Sequence, residues 1–220
     1  MRVLPVVQTP PGYQYVENLR RHLAVQCGSE FRPFSGQFVL PRQVELHLPN
    51  RWRLPCNLRC THCEGKNLRQ NVDDIYPKVF RLVQALGRQI PLWVISGAYS
   101  EPTINDQLID LIELIKEPGS NVGLHTNGTL MQRHEEKFGF LSRLTRVTTS
   151  PDYLSLSLDA GRASSYKAIK GVKGFDRVID GLLTLCRLKK EQPDGGIIVR
   201  VTFLLHPENS SAEEIAEVVT

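Results

Sequence analysis

Five apolar runs stand out along this chain as candidate strands. They are Gln43-Val-Glu-Leu-His-Leu48, Leu92-Trp-Val-Ile-Ser96, Asn121-Val-Gly-Leu-His125, Tyr153-Leu-Ser-Leu-Ser-Leu158 and Ile197-Ile-Val-Arg-Val-Thr-Phe-Leu-Leu205. Between them, apolar residues recur at intervals of three and four, as they do on one face of a helix. Asp74 to Leu86 places Ile75, Val79, Leu82, Val83 and Leu86 on one side. Asp106 to Ile115 does the same with Leu108, Ile109, Leu111, Ile112 and Ile115, and Phe175 to Leu188 with Val178, Ile179, Leu182, Leu185 and Leu188. A last helix is expected at Ser211-Ala-Glu-Glu214, which has the spacing of a capping box. Strand and helix in alternation predict parallel βαβ units with right-handed crossovers, so the fold class is α/β.

The pattern calls for a sixth strand after the last helix, and none follows before Thr220. The expected architecture is therefore an incomplete (β/α)6 partial barrel over residues 42–220. Either the chain is a fragment or something else completes the sheet. Residues 1–41 lie outside the alternation and form a short N-terminal extension of unassigned role. Within it, Tyr15 to Val25 reads as a helix and Phe31-Arg-Pro-Phe-Ser-Gly36 as a turn.

Composition narrows the setting. An apolar fraction of 41% and a charged fraction of 23% describe a chain that builds a core. No apolar run approaches the roughly 18 residues of a membrane span, and the N-terminal apolar stretch is too short for a signal peptide. The 5 cysteines are odd in number and three are clustered, which fits a reducing cytosol and a metal site rather than a disulfide framework. The net charge of +4 is mild. Arg51-Trp-Arg53 and Arg187-Leu-Lys-Lys190 read as solvated faces and helix ends, with an anionic partner such as nucleic acid as the less favoured alternative.

The clustered cysteines carry the chemistry. Cys56, Cys60 and Cys63 lie in Leu54-Pro-Cys-Asn-Leu-Arg-Cys-Thr-His-Cys-Glu-Gly65, with the spacing C-x3-C-x2-C. Three thiolates from one loop leave one corner of a cubane iron–sulfur cluster without a protein ligand, and an open iron can bind a small molecule. The same triplet with His62 or His47 as fourth ligand would suit a zinc knot. Cys27 and Cys186 read as bystanders, Cys186 at a helix core position. Ser155 and Ser157 share one face of the fourth strand, and Arg200 and Thr202 one face of the fifth.

In this order the motifs resemble the radical S-adenosylmethionine (SAM) superfamily, over about residues 42–220. The cysteine loop follows the first strand, Ser96-Gly-Ala-Tyr-Ser-Glu-Pro102 the second and His125-Thr-Asn-Gly-Thr-Leu130 the third. Ser157-Leu-Asp-Ala160 ends the fourth strand, and Val199 to Asn209 forms the fifth and its exit. The resemblance implies a 4Fe-4S cluster held by Cys56, Cys60 and Cys63, with SAM on the fourth iron. It further implies reductive cleavage of SAM to a 5′-deoxyadenosyl radical that abstracts hydrogen, with an electron from a ferredoxin or flavodoxin.

Site roles follow by the same resemblance. His62 sits beside the SAM adenine. Glu101 receives the SAM ammonium, with Ser100 small enough to allow access although the family's glycine pair is missing. Asn127 lies near SAM, and Ser157 and Asp159 near its ribose and carboxylate. Arg200 faces either the SAM carboxylate or an anionic substrate. Each residue also has a plainer reading: Glu101 and Asp159 as caps, Asn127-Gly128 as a turn, and Arg200 as a solvated arginine on an edge strand. Leu158-Asp-Ala-Gly161 through Tyr166, Gly171 and Phe175-Asp176 looks most like branches that modify peptides or small metabolites. The alternatives are a zinc or iron–sulfur module in a structural, electron-transfer or sensing role, and a degenerate core that binds SAM without turnover.

Overall fold

A computed structural model of the protein describes residues 41–48, 56–67, 75–192 and 196–219. The expectations for Tyr15–Val25, Phe31–Gly36, Cys27 and Arg51–Arg53 lie outside these residues. Five parallel strands form one sheet in the order β1-β2-β3-β4-β5. They are β1 (Gln43–His47), β2 (Leu92–Ser96), β3 (Asn121–Thr126), β4 (Tyr153–Ser157) and β5 (Ile198–Thr202). Each strand pairs with its neighbour in sequence, so the sheet advances in one direction and curves toward a barrel without closing among the described residues.

The helices are α1 (Tyr76–Leu86), α2 (Leu108–Lys116), α3 (Met131–Phe138), α4 (Phe140–Val147), α5 (Ala163–Lys170), α6 (Phe175–Lys190) and α7 (Ala212–Val219). They pack on one face of the sheet, where Leu46, Trp93, Ile95, Val122, Leu124, Leu154 and Leu156 are buried. The partners include Val79 and Val83 of α1, Val178 and Leu185 of α6, and Leu108, Ile109, Leu111, Ile112 and Ile115 of α2. Because side chains alternate across a strand, the intervening residues point into the concave side. These include Glu45, His47, Ser96, His125, Tyr153, Ser155, Arg200 and Thr202, and this concave face is polar.

Two differences from the pattern have physical causes. The fifth strand stops at Thr202 rather than Leu205. The Leu204 N–H is taken by Asp159 Oδ1 at 2.7 Å and the Leu204 carbonyl by Asn209 Nδ2 at 2.8 Å, so side chains replace the ladder. Helices α3, α4 and α5 were not legible as periodic runs. The first is mostly polar, Gln132-Arg-His-Glu-Glu-Lys137, and it ends at Gly139, whose φ of 67° is left-handed backbone that closes helices. The capping box at α7 forms only in part. The Ser211 hydroxyl accepts from Glu214 N at 3.2 Å. The Glu214 carboxylate turns instead to the first turn of α5, accepting from Gly161 N at 2.7 Å and from Ser165 Oγ.

Candidate active site

The carboxyl ends of the strands open on a cleft of about 640 Å³. The thiols of Cys56, Cys60 and Cys63 line one wall, and Ser96 to Glu101, His125 to Asn127, Ser155, Ser157, Lys170 and Thr202 line the rest. Loops at this end of a parallel barrel build sites because every strand exit converges there.

The cysteine loop is seated on α5. Arg59 N donates to the Lys170 carbonyl at 2.9 Å, and Thr61 N to the Ile169 carbonyl at 2.8 Å. A helix end leaves such carbonyls without partners, and the loop backbone supplies them. Gly171 makes the seat possible: it sits at φ +72°, and a Cβ there would lie 2.5 Å from the Arg59 carbonyl oxygen. Cys63 N donates to the Cys60 carbonyl at 3.1 Å and closes the turn between the second and third thiols. On the other side, Asn57 Nδ2 donates to Thr129 Oγ1 at 2.7 Å. Asn127 Nδ2 donates to Asn57 Oδ1 at 2.9 Å and lies 3.7 Å from Cys56 Sγ.

All three thiols are half-buried. Burial pushes the Cys56 thiol up to about 11, against hydrogen bonds from Leu58 N–H and Asn127 that favour the thiolate. Burial also raises Cys60, and the positive charge of Lys170 opposes it. A bound metal removes that cost by replacing the proton. Three soft thiols from one loop suit an iron–sulfur cluster with one open corner, while Glu64 and Glu101 also border the cleft. The Tyr166 hydroxyl lies in the core nearby. It is fully buried with no hydrogen-bond partner among the described residues, and it lies within electrostatic reach of Cys60, Glu101 and Cys56.

Glu101 is 2% exposed and joins two strand exits. Its Oε1 accepts from Thr103 N at 3.0 Å and from the hydroxyls of Thr103 and Thr126, each at 2.6 Å. Its Oε2 accepts from Asn127 N at 2.7 Å. The capping reading is thus realised, on the short 3-10 turn Pro102–Ile104, while the carboxylate also borders the cleft. Burial holds its carboxyl above the usual range, and these hydrogen bonds work against that rise. Ser100 donates from Oγ to the Leu48 carbonyl at 2.7 Å, and the loop is so tight that a Cβ on Gly97 would lie 2.0 Å from the Ser100 carbonyl oxygen. The glycine that this turn requires is therefore Gly97.

Asp159 is buried, in left-handed backbone at φ 56°. It forms an ion pair with Lys170 Nζ and accepts from Ser157 Oγ at 2.8 Å and Leu204 N at 2.7 Å. Burial pushes its carboxyl up, but the Lys170 ammonium and these donors outweigh that and hold it below its ordinary value. Lys170 was not legible as a site residue in the sequence. Its only signal is its place before Gly171 at the end of an amphipathic segment. Asn209 was also missed: fully buried, it donates to the carbonyls of Asp159 and Leu204 and fixes the β5 exit.

His62 is exposed at the cleft, its ring 6.4 Å from that of His206 and tilted by 49°. Arg200 is exposed on β5, an edge strand among the described residues, and its guanidinium stacks 4.2 Å over the Tyr153 ring. It therefore lies on the same face as Tyr153, outside the residues that line the cleft.

A five-stranded parallel sheet with a three-thiol loop after its first strand defines the radical SAM class. The chain belongs to the Radical SAM superfamily, whose description its residues 55–219 match. Members use a 4Fe-4S cluster and SAM. Among relatives, a probable GTP 3',8-cyclase of Saccharolobus solfataricus is 28% identical over 163 residues, covering 70% of this chain and 46% of that protein. An Fe-coproporphyrin III synthase of Methanosarcina barkeri is 30% identical over 158 residues, covering 70% of this chain and 35% of that protein. The fold is similar to that of Streptococcus suis SuiB bound to S-adenosylmethionine, with a TM-score of 0.59 and 20% identity over 96% of this chain and 43% of that one. SuiB bound to its precursor peptide SuiA gives a TM-score of 0.56 at 20% identity, over 100% of this chain and 43% of that one. The chain spans less than half the length of each of these proteins.

Proposed function

We propose that residues 42–220 form the catalytic core of a radical SAM enzyme that abstracts hydrogen from a peptide or a small metabolite. The observation that carries this reading is the thiol loop seated on the end of α5, with its three sulfurs facing the cleft at the strand exits. When bound and reduced by one electron, the cluster supplies homolytic cleavage of SAM to methionine and a 5′-deoxyadenosyl radical. The chain's own residues bind and orient. Cys56, Cys60 and Cys63 hold the cluster, and Asn127 ties the first of these to the β3 exit. His62 lies beside the adenine. Glu101 and Ser100 shape the wall that receives the SAM ammonium. Ser157 meets the ribose, held in place by Asp159, which accepts from its hydroxyl, and by Lys170, which donates to it. A ferredoxin- or flavodoxin-type reductant supplies the electron. No described helix is long and apolar enough to cross a membrane, and a thiolate-bound cluster suits a reducing cytoplasm.

The peptide or small-metabolite preference draws on the segment from Leu158 to Asp176 and on the structural likeness to a protein that binds a precursor peptide. The test is anaerobic. The chain is reconstituted with iron and sulfide, reduced, mixed with SAM and assayed for 5′-deoxyadenosine by chromatography. Product is expected from the unsubstituted chain and not from Cys60→Ala, which should also lose its iron. A chain that holds four irons and SAM yet forms no product, or that holds one zinc, overturns the reading.

A further inference from the structure

The cleft wall is acidic, and one cation stands against it. The thiols of Cys56, Cys60 and Cys63 border the cleft together with Glu64 and Glu101, whereas Lys170 is the one Lys or Arg among the described residues that does so. A cluster held by thiolates gains one further negative charge when it is reduced, and its potential follows the charges and hydrogen bonds around it. The placing of that single cation therefore matters to the electron that starts the reaction.

The pair that Lys170 forms with Asp159 has a direction. The Lys170 side chain lines the cleft and the Asp159 side chain does not. Behind the ammonium, Asp159 Oδ2 accepts from Lys170 Nζ and from Ser157 Oγ at 2.8 Å, while Oδ1 turns to the Leu204 N–H at 2.7 Å, at the β5 exit. An ammonium has three N–H donors. Among the described residues, Ser157 Oγ, at 3.0 Å, and Asp159 Oδ2 take two of them, which leaves one for the cleft. Lys170 is 2% exposed, so little water screens its charge.

The backbone fixes this cation next to the thiol loop. The Lys170 carbonyl accepts the N–H of Arg59, the residue before Cys60, at 2.9 Å. Burial is the largest influence on the Cys60 thiol; after it, the Lys170 charge favours the thiolate more strongly than the Asp159 charge opposes it. Cys56 is served differently, by the neutral donors Leu58 N at 3.5 Å and Asn127 Nδ2 at 3.7 Å. An ion pair that served stability alone could lie either way round, and this one presents its cation to the thiols. We propose that the Lys170–Asp159 pair is an oriented dipole whose positive end raises the reduction potential of the cluster held by Cys56, Cys60 and Cys63, so that a ferredoxin- or flavodoxin-type donor delivers its one electron more readily. This rests on the radical SAM reading and goes beyond it, giving the pair a part in electron uptake.

The test uses the full chain, loaded anaerobically with its cluster, in a redox titration followed by electron paramagnetic resonance. SAM is left out, so that no contact to SAM enters the result. Lys170→Met combined with Asp159→Asn removes both ends of the dipole and keeps the net charge. Its cluster is expected to be at least about ten-fold harder to reduce, a fall of about 59 mV for one electron. Lys170→Arg keeps the cation and is expected to keep most of the potential. An unchanged or raised potential in the double variant overturns the proposal, as does an equal fall in Lys170→Arg. Lys170→Gln combined with Asp159→Asn, which retains a hydrogen-bond donor, serves as a second double variant with the same expected fall. If neither double variant holds four irons, the pair is structural and the proposal is overturned. The radical SAM reading is judged separately, by the iron content of the unsubstituted chain and by the 5′-deoxyadenosine it forms once SAM is added.

Discussion

Two buried carboxylates flank the cleft, one at the exit of β2 and one at the exit of β4, and they are held in opposite ways. Glu101 receives hydroxyls and amide N–H groups from Thr103, Thr126 and Asn127. Asp159 receives the ammonium of Lys170, itself 2% exposed. The first carboxyl sits above its ordinary range and the second below. Burial is the largest influence on both, so the surroundings decide the sign. Dipoles from neighbouring segments reduce the burial penalty of Glu101 without reversing it, whereas a full opposite charge reverses it for Asp159. The Glu101 side staples two strand exits. The Asp159 side ties β4, α5 and the β5 exit around one ion pair, directly beneath the cysteine loop.

Breaking the ion pair tests this contrast most severely. Lys170→Met leaves Asp159 buried beside no cation and should cost about 3–5 kcal/mol in urea denaturation. Lys170→Met combined with Asp159→Asn should recover much of that loss. A single variant as stable as the unsubstituted chain would remove Lys170 from its assigned role. Glu101→Gln is milder. It places an amide N–H₂ among groups that already donate, so about 1–3 kcal/mol of stability should be lost. Iron uptake should be retained, since Glu101 holds no thiol. Loss of iron in this variant would mean that the stapled exits help to seat the cluster loop.

The smallest effect is the most diagnostic, because the two carboxyls respond oppositely to pH. Asp159 titrates below its unfolded value of about 3.9, so its contribution is complete above that pH and is lost as pH falls through the lower folded value. Glu101 titrates above its unfolded value of about 4.3. Its contribution is complete below that pH and is lost as pH rises through the higher folded value. Each slope is bounded by about 1.4 kcal/mol per pH unit. Denaturation across pH 2 to 7 should show the acid limb flattened in the Asp159→Asn/Lys170→Met chain, and the fall above pH 4 flattened in Glu101→Gln. The same limb flattened in both variants would contradict the comparison.

Much of the site was visible in the sequence because its parts are local. Cys56, Cys60 and Cys63 lie within one turn-forming segment, and Glu101-Pro102, Asn127-Gly128 and Ser157-Leu-Asp159 each follow a strand whose alternation can be read. The serines of β4 pointed to the cleft because a strand has period two. What was hidden depends on distant residues. Lys170 is 11 residues from its partner Asp159, Glu214 is 53 from the Gly161 N–H it accepts, and Asn209 is 50 from the Asp159 carbonyl it supports. Nothing in a lysine at a helix end announces that its ammonium turns inward.

By itself, the sequence determined the parallel α/β order, the three-thiol loop after the first strand and the identity of the groups at each strand exit. These follow from periodicity and spacing, which the chain carries within a dozen residues at a time. Only the tertiary structure decided that α5 offers its last carbonyls to the cysteine loop, that Glu101 binds one exit to the next and that Lys170 answers Asp159. The first two join residues from separate βα units and the third joins the two ends of one, and burial and hydrogen bonding among them are settled only when the elements pack.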